Sequence, residues 1–151
     1  MAAFFAFLHH VSAFTLFAAL VVELVLIRSV LTPQSARKIQ VADMILGISA
    51  TVLLLVGFAR LLHYEKGATY YFHTWTFIAK LSLFILLALV SIIPTIEFLR
   101  WRPAIKAGQV PQVSADKMRS IRTIIHLELA GVVLIILLAA MMAKGIGLMM
   151  G

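Results

Sequence analysis

An all-α integral membrane bundle of four spans is the fold class this sequence predicts, on three observations. The 151 residues are 63% hydrophobic and only 13% charged, whereas soluble domains carry roughly a quarter charged residues. The apolar residues gather into four runs, each long enough for the ~20 helical residues that cross a hydrocarbon core. No polar region between the runs is long enough to fold alone. Residues 1–151 therefore read as one membrane domain, with spans at about 3–31, 41–63, 72–99 and 123–142.

The first run, Ala3 to Leu31, lacks a basic leading region and a convincing small-residue cleavage site before Glu23 and Arg28. It reads as a span rather than a signal peptide. Thr32-Pro33 breaks it, and a loop carrying Arg37 and Lys38 follows. In the second span Asp43, Gly47, Ala50, Leu54 and Gly57 recur every three or four residues. That spacing makes a small-residue stripe for close helix packing, and Gly57 also leaves room for a flat ligand. Glu65-Lys66-Gly67 is a short turn with a glycine stop, and Pro94 predicts a kink late in the third span. The longest polar segment, Arg100 to Arg122, precedes the fourth span, and Lys144-Gly145 follows it.

Charge sets the expected orientation. Arg37, Lys38, Arg100, Arg102, Lys106, Lys117, Arg119 and Arg122 fall in the first and third connections, with Arg28 beside them. The central turn and the C-terminal tail hold only Arg60, Lys66 and Lys144. Positive residues stay cytoplasmic, so both termini and the central turn are expected on the outer, periplasmic side of a bacterial inner membrane. The net charge of +7 thus reflects topology and anionic lipid, not nucleic acid. With no cysteine, disulfides, thiolate metal sites, iron–sulfur clusters and covalently attached haem are excluded.

Polar residues inside a membrane are costly unless they meet a partner, a cavity or a cofactor. The stretch from Arg60 to Lys80 is dense in them: Arg60, His63, Glu65, Lys66, His73 and Lys80 stand among Tyr64, Tyr70, Tyr71 and Trp75. The expected topology adds His9 and His10 at the same outer level, with Lys144 ending there too. Glu23, Arg28, Asp43, Glu97, His126 and Glu128 sort to the inner level. His9, Ser12, Leu16, Ala19 and Glu23 share one helical face, while His10 and Arg28, five turns apart, share another. His73, Thr76, Phe77 and Lys80 share a face of the third span.

Four histidines and several cations at one level suit haem b, one or two per chain. Neutral imidazole ligates iron, and Arg or Lys pairs with propionates. The candidate set is His9, His10, Arg60, His63, Lys66, His73 and Lys80, with Gly57 beside the macrocycle. Plainer readings stand beside it: His63 and His73 as wet interfacial residues, Lys80 snorkelling outward, and Tyr70 and Tyr71 as an aromatic belt. At the inner level, Arg28 with Asp43 and Glu97 with Arg100 or Arg102 read as ion pairs. Glu23 has no cation one turn away. With His126 and Glu128 it could form a proton path, a metal site or a second haem ligand set.

Arg60, Glu65-Lys66-Gly67, Tyr70-Tyr71, Lys80, Phe84, Ser91, Pro94-Thr95 and Trp101, with the Leu-His-His of span one and His126-Leu-Glu128, carry a resemblance. They resemble an uncharacterised bacterial family of small four-helix predicted membrane proteins, a domain of unknown function, over nearly the whole chain. That resemblance implies architecture more than activity. More distantly, an early Leu-His context and Trp75 followed by Lys80 resemble HemJ-type protoporphyrinogen oxidases and CopD-like membrane proteins. The likeness to the former implies an oligomeric haem b protein with His9 or His10 as ligand and Lys80 near the porphyrin.

The leading functional expectation is a haem b protein of the inner membrane, engaged in electron transfer or an oxidoreductase step. Its redox partner would be a quinone or a periplasmic protein. The alternative is copper or other metal-ion handling, with His9, His10, His63 and His73 on the same side as the soft donors Met141, Met142, Met149 and Met150, and with His126 a further candidate metal ligand beside His9 and His10. A further alternative is a structural accessory subunit. Four spans barely enclose a haem alone, which predicts a homo-oligomer. No phosphate loop, dinucleotide glycine motif or nucleophile triad is present.

Overall fold

The computed structural model describes residues 1–64 and 66–149, and within them the chain is helical with no strand longer than an isolated bridge. Four long helices carry the apolar runs: α1 (Ala2–Arg28), α2 (Pro33–His63), α4 (Trp75–Arg100) and α6 (Ala115–Ala143). Each is long and apolar enough to cross a membrane. Two short helices, α3 (Ala68–Phe72) and α5 (Arg102–Lys106), sit in the connections. Glu65 of the expected central turn and Met150 of the expected methionine set lie outside the described residues.

Local sequence explains where the helices begin. The Thr32 side chain accepts from the Ser35 amide at 3.0 Å, and the Ser35 hydroxyl accepts from the Thr32 amide at 2.8 Å. This reciprocal box, with Pro33 at the first helical position, starts α2 two turns earlier than the apolar pattern suggests. Arg37 and Lys38 therefore ride on α2 rather than in a loop. Ser114 caps α6 through the Lys117 amide at 3.2 Å, with Asp116 in the first turn. Pro94 is buried inside α4, which stays helical on both sides of it.

The start of α4 has no side-chain cap. Residues beyond α6 serve instead. The Trp75 amide donates to the Gly147 carbonyl at 2.9 Å, the Met149 amide to the His73 carbonyl at 2.9 Å, and the Thr76 hydroxyl to the Ile146 carbonyl at 3.1 Å. Thr74 and Thr76 are thereby buried, around a Thr74–Leu148 antiparallel bridge. Gly147 permits this approach: its φ is +103°, and a Cβ there would stand 2.7 Å from the Thr76 methyl.

Around the bundle the neighbours run α2, α1, α6, α4. Helices α1 and α2 pack along their length, α6 closes onto both α1 and α4, and α2 meets α4 only sparsely. The core is densest at the basic end, where Leu20, Ile27, Ala36, Ile39, Phe98, Trp101, Ile121 and Ile125 are fully enclosed. Outward faces carry Phe14, Val25, Leu55, Leu89 and Ile136, suited to lipid.

The glycine stripe of α2 is not a close-packing face at Gly47, where an added Cβ would meet nothing within 4 Å. The tight approach lies instead at Gly131 of α6, where a Cβ would come within 2.5 Å of Leu87 on α4. Gly131→Val is expected to destabilise the bundle by about 1–3 kcal/mol through overpacking, whereas Gly47→Ala leaves stability unchanged or slightly raised. Thermal unfolding of the two variants in one detergent checks the contrast.

Candidate functional site

At the end that carries the termini, the structure separates the histidines. His10 is exposed, and its Nδ1 lies 2.6 Å from the Ala6 carbonyl of its own helix. His73 is exposed, with Nδ1 2.7 Å from the Thr69 carbonyl. His63 is exposed beside the Tyr64 ring. His9 alone is turned into the bundle: its imidazole lies 3.6 Å from where a Gly57 Cβ would stand, and its Nδ1 is buried. The space beside Gly57 is thus filled by the imidazole itself.

Arg60 and Lys80 are half-buried at this level, and the Lys80 ammonium stands 5.6 Å from the Phe77 ring. Lys66 is exposed, with its ammonium 4.6 Å from the Tyr70 ring centre. The set His9, His10, His63 and His73 therefore does not converge within one chain, because three of the four imidazoles face outward. Of these four, His9 is the one imidazole that the chain brings inward at that end. Met141 and Met142 are half-buried and Met149 exposed. Among the described residues no three His, Asp or Glu side chains come together as a metal site.

The opposite end holds a different arrangement. Arg28 does not pair with Asp43; its Nη2 donates to Nε2 of His126 at 2.8 Å, and His126 Nδ1 lies 2.7 Å from the Arg122 carbonyl. A guanidinium can only donate, so Nε2 must be the accepting nitrogen and Nδ1 carries the proton. Arg122 in turn donates to the Ile27 carbonyl at 3.2 Å, capping α1. Glu97 meets Arg100 and Lys117, each at 3.9 Å, and accepts from the Trp101 indole at 3.2 Å. The expected Glu97–Arg100 pair is present.

Deeper in the bundle, three carboxyl residues from three helices are turned inward. Glu23 of α1 is 1% exposed, Glu128 of α6 is 4% and Asp43 of α2 is 8%. They lie close enough for mutual electrostatic interaction. The remaining long helix, α4, supplies hydroxyls one turn apart: Thr95 donates to Asp43 Oδ1 at 2.8 Å, and Ser91 lies against Glu128. Glu23 Oε1 is buried without a hydrogen-bond partner among the described residues. No Lys or Arg among them forms an ion pair with any of the three.

Two spaces lead to the cluster. A groove of about 620 Å³ between α2 and α4 runs from Arg37, Gln40 and Arg102 up to Asp43 and Thr95. A cavity of about 270 Å³ at the centre of the bundle is lined by Ser91, Glu128 and residues of all four long helices. The two share Gly47, Thr51 and Thr95. The small stripe of α2 thus shapes a path beside the acids.

Sequence reasoning singled out Glu23, His126 and Glu128 together. His126 belongs instead to the Arg28 link on the exposed rim. It missed that Asp43 completes the acidic group and that Ser91 and Thr95 line it. The signal was the four-residue Ser91–Thr95 spacing, which puts two hydroxyls on one face at the depth of the acids.

A family model described as a predicted membrane protein, DUF2214, matches residues 1–147. No curated protein and no solved structure matches the chain significantly. The looser likeness to HemJ-type and CopD-like proteins is not shown by these comparisons.

The Asp43–Thr95 bond generates a prediction. Thr95→Val removes the donor to a buried carboxylate oxygen and is expected to cost about 1–3 kcal/mol. Asp43→Asn keeps an accepting oxygen in place and is expected to cost less. Unfolding midpoints of the two single variants and the double variant check the coupling.

Proposed function

The chain belongs to the DUF2214 family of predicted membrane proteins, and on that premise we propose that it is a proton-handling protein of the bacterial inner membrane. Its working groups are the carboxyls of Glu23, Asp43 and Glu128. The observation that carries the reading is Glu23, enclosed in the bundle with an oxygen that no described residue satisfies. A carboxyl in that position must hold a proton or face a cation. The three acids lack an ion-pair partner among the described residues, and they do not gather into a metal-ligating group. Three inward-turned carboxyls in one small bundle repel one another when ionised, so proton uptake is the means left to settle their charge.

The central cavity lined by Ser91 and Glu128 adjoins, at Gly47, Thr51 and Thr95, the groove that opens at the basic end, which the positive-inside rule puts in the cytoplasm. Ser91 and Thr95 hold the carboxyls in place, as hydroxyls do along intramembrane proton paths. Homo-oligomerisation fits the same reading, since the exposed apolar faces leave room for neighbouring protomers.

Glu23→Gln and Glu128→Gln remove protonatable groups with little change of shape. Each is expected to lower proton uptake by reconstituted vesicles at least about tenfold, the effect of about 1.4 kcal/mol on a step through that group. Difference infrared spectra of the parent should show protonated-carboxyl bands that move with bulk pH and vanish in these variants. Bands and uptake identical in parent and variants would end the proposal.

A second reading keeps haem b at the outer end, with His9 as a ligand and Arg60 and Lys80 for the propionates. What favours it is the single imidazole turned inward against Gly57. The group would supply one-electron chemistry, and from this chain it finds one inward imidazole rather than two. On this reading protein from haem-replete cells is red, with a Soret band that shifts on reduction and is lost in His9→Leu. Colourless protein without iron removes it. Stoichiometric copper would instead favour the metal-handling alternative.

A further inference from the structure

We propose that the groove between α2 and α4 binds one anionic phospholipid from the leaflet at the basic end. Its phosphate would sit between Arg37 and Arg102, with an acyl chain along Met44 and Ile48.

The groove is where the bundle fails to close. Helices α2 and α4 approach only sparsely, and the space between them measures about 620 Å³. Arg37 on α2 and Arg102, just past α4, flank its mouth at the basic end. Both are exposed, and neither belongs to an ion pair among the described residues. The neighbouring Arg100, Lys117 and Arg119 do have acidic partners. Two uncommitted guanidiniums facing one cleft are suited to a phosphate, which each can hold with paired N–H donors.

Above the mouth the walls turn apolar. Met44 and Ile48 are more than half exposed, and Leu99 opposes them. From Arg37 to Ile48 is about 16 Å along the helix, close to half of a ~30 Å hydrocarbon core. The charge along the groove also has a direction, cationic at the mouth and acidic at Asp43 deeper in. An anionic headgroup is therefore held at the mouth and kept from sliding inward. A zwitterionic headgroup gains less, because its ammonium meets the same arginines. This binding needs nothing from Glu23 or Glu128, so it stands or falls separately from proton handling.

Trp101 provides the readout. It is buried against Phe98, a residue of the groove wall, with ring centres 5.0 Å apart. The other tryptophan, Trp75, lies at the opposite end of α4. Full-length protein carrying Trp75→Phe is reconstituted into vesicles containing phospholipids brominated on the acyl chains, either phosphatidylglycerol or phosphatidylcholine. Trp101 fluorescence should be quenched preferentially by the anionic lipid. The preference should fall about 5-fold in Arg37→Gln or Arg102→Gln and about 30-fold in the double variant. Lys106→Gln with Arg119→Gln, away from the groove, should leave it unchanged.

Equal quenching by both lipids, or a preference that survives the double variant, overturns the proposal. Quenching that falls as protein density in the vesicle rises also overturns it, because a second copy then fills the groove. Should Trp75→Phe fail to fold, the parent and the double arginine variant are compared for co-purifying lipid. Anionic lipid should be enriched on the former only, and equal enrichment rejects the site.

Discussion

Hydrocarbon cannot solvate charge, and the rest of this structure depends on how it answers that constraint at Glu23, Asp43 and Glu128. An acidic residue at the middle of a membrane helix costs about 2.5–3.5 kcal/mol on insertion scales. A bundle this small spreads three of them over three helices and turns all three inward. Burial alone would be a liability. The hydroxyls of Ser91 and Thr95 make it tolerable by contributing the polar face of the fourth helix.

The same constraint explains the uneven packing. At the basic end, fully enclosed Ile27, Ala36, Ile39, Phe98 and Ile121 make a dense apolar plug, tied off by Arg28–His126 and Arg122–Ile27. Polar crosslinks are affordable there because their other faces reach water. Between α2 and α4 the plug gives way to the groove that reaches Asp43. The seam thus brings one acid of the cluster, Asp43, to the edge of the bundle, while Glu23 and Glu128 stay inside it.

Much of the fold was legible in the sequence, because runs of apolar residues leave a chain in lipid no alternative to spanning helices. The early start of α2 was legible too, in Thr32-Pro33-Gln34-Ser35, yet the basic Arg37 and Lys38 drew the eye toward a loop. The site was harder. Histidines at one depth looked convergent, but depth says nothing of azimuth, and His10, His63 and His73 point away from the interior. Only His9 follows the buried face of Ser12, Leu16, Ala19 and Glu23, as its spacing predicts. Glu23 stood out for lacking a nearby cation, whereas Asp43 was given one in Arg28, which the structure assigns to His126. Which acid pairs with which base across helices is set by rotation of each helix about its axis. Spacing within one helix does not encode that.

The cap on α4 carries a consequence for how the molecule is made. The first turn of the third span has its amide and hydroxyl donors completed by carbonyls of Ile146 and Gly147. Those residues are translated about seventy positions later. Until they are made, the beginning of that span lacks these carbonyl partners, so this contact can close only after the last long helix is in place.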